Sequence, residues 1–148
     1  MKRRVVLAAM LMLAISRLPS GVCEAAETRL SFGEIYSSFG VLGLQFSEKT
    51  KALAGKRVAI RGFIAPPLKA EADFFVLTRE PVALCPFCQS DADWPADIVV
   101  VYPKGNRRIT SYEERVEVFG TLEVGSKTDP RTGFVSLLRL VDADWRRR

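Results

Sequence analysis

The sequence predicts a mainly β fold, a small five-stranded barrel of the OB type preceded by a short helix. Three observations point there. From Arg57 onward apolar residues recur at every second position, and five such runs are separated by turns rich in proline and glycine. Two of the runs, "VAIRGFI" and "VEVFGTL", also share one frame with a glycine in mid-strand. A glycine there weakens a strand and so marks a bulge or the bend of a closing barrel, and closure removes the unpaired edges of an open sheet. The competing architecture is a small open β-sandwich.

The elements follow in chain order. Residues 1–25 have the layout of a secretory signal peptide: Lys2, Arg3 and Arg4, then eleven apolar residues from Val5 to Ile15, then small residues around Cys23, Ala25 and Ala26. The apolar run is shorter than the roughly 20 residues that span a bilayer, and the expected cleavage lies between Ala25 and Ala26. Lipidation of Cys23 is the lesser alternative, because Ser20 and Val22 are the wrong residue types ahead of it. Residues 26–55 form a leader with one loose helical turn and then a short helix, in which Ser47 caps the start, Glu48 suits the first turn and Gly55 ends it in the left-handed conformation. Residues 56–148 form the barrel domain. Its strands are Arg57–Ile64, Phe74–Thr78, Asp97–Tyr102 (apolar on both faces, hence central), Arg115–Leu122 and Phe134–Val141. Turns fall at Ala65–Pro67, Pro103–Asn106 and Asp129–Gly133.

Removing the leader changes the composition. Lys2, Arg3, Arg4 and Arg17 leave together with Glu24, so the net charge falls from +5 to +2. Arg146, Arg147 and Arg148 supply more than that surplus, so the charge does not mark a nucleic-acid groove, and a nucleic-acid partner is not expected. Cys23 and all three methionines leave as well. The mature chain keeps one cysteine pair, Cys85 and Cys88, within "ALCPFCQSDADWP", in a periplasmic, oxidising compartment.

That pair carries three readings. A metal site would use both thiolates with Asp91 and Asp93 as oxygen donors, Glu80 lying upstream and Trp94 beside the site as a binding aromatic. The chain has no histidine, so four donors require those carboxylates or two chains pooling their sulfurs, and zinc is favoured over copper because no methionine remains. A structural Cys85–Cys88 disulfide would stiffen the loop and leave Trp94 as plain packing. Dithiol redox chemistry is the third reading. Cys-Pro-Phe-Cys matches an oxidoreductase string, but it follows two β-strands and precedes "QSDADWP" in place of an apolar helix.

Other chemistry has little support in the sequence. Without histidine there is no Ser-His-Asp or Cys-His machinery, and Asp73, Glu80, Asp91 and Asp93 are acid-base candidates by residue type only. Lys104, Arg107 and Arg108 read as a solvated hairpin tip. Phe63, Phe74, Phe75 and Tyr102 could stack bases as some OB folds do, a role that export argues against.

The tract from Gly55 to Tyr102, with its CPFC and ADWP strings, followed by "VEVFGTLEVG" and "VSLLRLVDA", resembles a family of exported bacterial proteins of unknown function with an OB-like fold. Members are often encoded near ABC transporters, some of them linked to zinc supply. The resemblance covers roughly the last two thirds of the chain. It implies a non-enzymatic accessory or binding role in envelope transport, an ABC-transporter component as partner, and zinc as the metal.

Overall fold

The computed structural model describes residues 27–40, 43–67, 72–83, 94–105, 107, 109, 111, 112 and 114–148. In chain order the elements are β1 (Thr28–Arg29), α1 (Phe32–Ile35), β2 (Tyr36–Gly40), β3 (Gly43–Phe46), α2 (Glu48–Leu53), β4 (Arg57–Ile64), β5 (Phe75–Thr78), β6 (Ile98–Pro103), β7 (Arg115–Thr128) and β8 (Val135–Arg147).

All five expected strands form, and they close on themselves. The neighbours run β4, β5, β6, β8, β7 and back to β4, every pair antiparallel except β6 with β8. Counted as five strands the order is first, second, third, fifth, fourth, first, the ring order of an OB-type fold. β5 covers only Phe63 and Ile64 of the longer β4, and β1 lies parallel against Val58 and Ala59 on the remaining edge. No long stretch of that edge is left unpaired, which protects the sheet from pairing with another chain.

Alternation fills the ring. Val58, Ile60 and Ile64 of β4, Leu77 of β5, Val116, Val118 and Leu122 of β7, and Leu138 and Leu140 of β8 are all essentially inaccessible. β6 is buried on both faces from Ile98 to Val101, as its unbroken apolar run predicts. The two mid-strand glycines sit at close approaches. A Cβ on Gly62 would lie 2.5 Å from the Thr78 carbonyl oxygen, 2.8 Å from Leu77 Cγ and 3.1 Å from the Phe32 ring. At Gly120 the β7–β8 register slips between Phe119 and Thr121, and a Cβ would meet Leu140 and Ala143 at 3.1 Å.

The leader is more ordered than its sequence predicts. Ser47 Oγ accepts from the Thr50 amide at 3.1 Å, and Gly55, at φ +77°, turns the chain so that its amide reaches the Leu122 carbonyl at 2.7 Å. Glu34 of α1 binds both the Ser31 amide and Lys49 of α2, and Thr50 Oγ1 donates to the Ile35 carbonyl at 2.8 Å. Between the helices, where the sequence suggests irregular chain, β2 and β3 form a hairpin. The period-two signal there is too short and too polar to stand out, since Ser37, Ser38 and Gln45 face solvent while Tyr36 is buried. Leu30, Phe32, Ile35, Tyr36 and Leu53 join the same apolar cluster as the ring.

β7 and β8 also run past their expected ends at Leu122 and Val141. The β7 extension ends in exposed Ser126, Lys127 and Thr128, and in the β8 extension Ala143 is buried between exposed Asp142 and Asp144, so neither shows the apolar run that a hydrophobicity reading follows. Among the described residues no helix is long and apolar enough to cross a membrane.

Candidate functional site

The β5–β6 connection carries the cysteine tract, and Cys85, Cys88, Asp91 and Asp93 lie outside the described residues. The frame that holds the tract is described. β5 and β6 pair up to Thr78 opposite Ile98, and one residue farther the Arg79 amide donates to the Asp97 carbonyl at 3.0 Å. The Arg79 guanidinium meets the Asp97 carboxylate at 3.0 Å, and Thr78 Oγ1 donates to the Glu80 carbonyl at 2.7 Å. The two Arg79–Asp97 contacts join the limbs of the connection at its root, and the Thr78 bond turns the outgoing limb.

Trp94 fixes the returning limb. It is 5% exposed, and its indole N–H donates to the Tyr36 hydroxyl at 2.8 Å. Tyr36 in turn stacks on Phe46, with ring centroids 5.1 Å apart. Burial pushes the Tyr36 phenol up to about 12 while the Trp94 hydrogen bond opposes it, so the phenol stays protonated at neutral pH. The residue named as a binding aromatic is therefore packed inside, against the β2–β3 hairpin.

The other candidates have structural partners. Phe74 packs against Tyr102 and Phe134 at 5.5 and 5.3 Å between centroids, and Phe75 meets Trp145 edge-on at 5.2 Å. Tyr102 donates to Asp129 at 3.1 Å; burial first, and then the Asp129 charge, push its phenol upward. Asp129 Oδ1 also accepts from the Thr132 amide and hydroxyl, which shapes the β7–β8 turn expected at "DPRTG". Arg107 lies over the Trp145 ring at 4.0 Å and pairs with Asp144, and Asp73 pairs with Arg131. Among the described residues no three His, Cys, Asp or Glu side chains converge as metal ligands would.

One cluster is absent from the sequence reading. Glu117 lies near the start of β7 on the outer face of the ring, opposite Arg61 of β4 and Arg146 of β8. Its carboxylate is 1% exposed because guanidiniums cover it. Arg61 reaches Oε1 at 2.9 Å, and Arg29 approaches the same oxygen at 3.6 Å. Arg146 and Arg148 each send two N–H groups to Oε2, at 3.0 and 2.6 Å and at 3.1 and 2.5 Å. The signal was an arginine or a carboxylate at outward positions of two alternating strands. Linking them needs the register, because the partners lie 56 and 29 residues apart in sequence.

The cluster has a pH consequence. Burial alone would raise the Glu117 carboxyl, but the hydrogen bonds from Arg148, Arg146 and Arg61 outweigh it and hold the pKa at about 2, against an ordinary 4.5. A carboxylate depressed on folding stabilises the protein fully above its unfolded pKa, and that contribution is lost as pH falls from about 4.5 to about 2. The guanidiniums are 40% to 67% exposed, so solvent screening reduces the effect to about 1–2 kcal/mol. Glu117→Gln is expected to lose that much stability at pH 7, with the gap to wild type closing toward pH 2. Urea unfolding at a series of pH values checks it, and a gap that does not depend on pH would contradict it.

Comparison with known proteins gives one structural likeness. No family model matches the chain, and no curated protein matches it. Among solved structures the chain is similar to a DUF3299 family protein from Pseudomonas aeruginosa PAO1, with 14% sequence identity and a TM-score of 0.49 over 78% of this chain and 92% of that one.

Proposed function

We propose that this chain is an exported, non-enzymatic binding module of the cell envelope whose ligand-carrying element is the β5–β6 connection. Cys85 and Cys88 supply two thiolates to a metal ion of the zinc type, and Asp91 and Asp93 supply the oxygens. The observation that supports this reading is the closed root of the connection, tied by Arg79 to Asp97 and by Trp94 to Tyr36. A metal site gains affinity when the scaffold fixes both ends of the ligand-bearing segment before the ion arrives. The partner is a component of an envelope transport system that delivers or takes up the ion.

The strand arrangement weighs against dithiol redox catalysis. Oxidoreductase CxxC motifs sit in βαβ units, at the start of a helix that follows a parallel strand, whereas β5 and β6 are antiparallel neighbours.

The test is direct. Protein purified from the periplasm is expected to carry near-stoichiometric zinc by elemental analysis, with both thiols reduced and shielded from a thiol reagent. Cys85→Ser with Cys88→Ser should abolish the zinc while leaving the fold intact by circular dichroism. A quantitative disulfide with no metal overturns the proposal, and turnover in a disulfide-exchange assay would assign the pair to redox chemistry instead.

A further inference from the structure

The arginine cluster around Glu117 lies outside the cysteine tract and is independent of it. Four guanidiniums surround one carboxylate, so these side chains carry a local surplus of three positive charges. The carboxylate is hidden at 1% exposure while the guanidiniums remain 40% to 67% exposed, so the patch is net positive outward; Asp144, next along the same face of β8 and 59% exposed, is paired with Arg107. A guanidinium has five N–H donors in a planar fork. Arg61 spends one of them on Glu117 and Arg146 and Arg148 spend two each, so ten of these fifteen donors are not used on the carboxylate. Glu117 therefore acts as an organiser: it holds the forks in place from beneath and lowers the entropy lost when they bind oxygen anions.

The shape of the surface selects the partner. The outer face of a closed ring is convex, so it offers no channel to thread a single strand. Its aromatics give little to stack on: Phe119 lies under the Arg146 guanidinium at 4.8 Å, Phe63 opposite Arg115 is half-buried, and the large apolar side chain exposed among the described residues, Tyr112, belongs to the β6–β7 connection. Single-stranded nucleic acid is held by grooves and stacked aromatics. A broad convex cationic face suits a planar array of phosphates. We propose that the outer face of β4, β7 and β8 docks on a phospholipid bilayer with anionic headgroups, gripping their phosphates through Arg29, Arg61, Arg146 and Arg148.

The experiment is vesicle co-sedimentation of the purified chain. Binding is expected to vesicles of phosphatidylcholine mixed with phosphatidylglycerol, not to phosphatidylcholine alone, and to weaken as salt is raised. Each basic residue near an anionic surface contributes about a fivefold factor, so Arg61→Gln, Arg146→Gln and Arg148→Gln together should reduce partitioning roughly 100-fold. Because those three also bind Glu117, Arg29→Gln serves as the structurally mild variant, with about a fivefold loss. Lys127→Gln with Arg131→Gln removes two charges roughly 30 Å away along the hairpin and should have little effect. Cys85→Ser with Cys88→Ser should bind vesicles like wild type, which separates this surface from the proposed metal site. The inference is overturned if anionic vesicles are not bound, if Arg29→Gln and the folded triple variant bind like wild type, or if nucleic acid is bound more tightly than vesicles at equal phosphate.

Discussion

Gly62→Ala is expected to destabilise the ring by about 3 kcal/mol, although the same change at an open strand position would stabilise it slightly. The added methyl would lie 2.5 Å from the Thr78 carbonyl oxygen and 2.8 Å from Leu77 Cγ. The oxygen belongs to β5, which is paired to β4 through Phe63 and Ile64 and to β6 through all four of its residues, so it cannot move without opening the ring. Gly120→Ala makes the informative contrast. Its methyl would meet two side-chain carbons and one carbonyl oxygen at 3.1 Å, where a shift of a few tenths of an ångström suffices, and about 1 kcal/mol is expected. Urea midpoints with an unchanged slope measure both. Equal losses at the two glycines would mean that the β4–β5 contact yields, and the closed ring would then be looser than its pairing implies. Adding Phe32→Leu to Gly62→Ala should not restore stability, since the backbone oxygen remains.

How the glycines read in sequence shows what the sequence could and could not reveal. Gly62 and Gly120 interrupt otherwise regular period-two runs, and that local anomaly was enough to suggest a bulge or the bend of a closing barrel at each, though not the close contacts each glycine makes. The five strands were legible for the same reason, because a buried face imposes alternation on Val58, Ile60 and Ile64 or on Val116 and Val118 whatever lies across from them. Ser47 and Gly55 were legible because capping and a positive φ are local demands. The β2–β3 hairpin was not, because an exposed pair of short strands places no apolar demand on Ser37, Ser38 or Gln45. The Glu117 cluster was hidden for a different reason. Arg61, Arg146 and Arg148 lie far apart along the chain and meet over Glu117 only through the β4–β7 and β7–β8 registers, so the three C-terminal arginines looked like a charged end and not part of a folded face. Residue types and spacing single out the cysteine tract in the sequence, whereas the way its returning limb is held depends on Trp94 meeting Tyr36, a contact between residues 58 apart.

That contact supports the second large effect. Trp94→Ala is expected to cost about 3–5 kcal/mol, because it empties a site where an indole is 5% exposed against the hairpin. Trp94→Phe keeps most of the volume and removes the N–H, so about 1 kcal/mol is expected from the lost hydrogen bond to Tyr36. If Trp94 only fills space, the two variants should differ in stability and in nothing else. If it also sets the path of Asp93 and the cysteines, Trp94→Phe should weaken zinc binding even though it stays folded at the assay temperature, and Tyr36→Phe should do the same from the other side of the bond. Trp94→Phe with Tyr36→Phe together should then lose no more affinity than either alone, since each removes the same constraint. Zinc affinity measured by competition with a chelator decides between these outcomes. Affinity unchanged in both folded single variants would separate the anchor from the site and leave the β5–β6 connection dependent on Arg79 and Asp97 alone for its geometry.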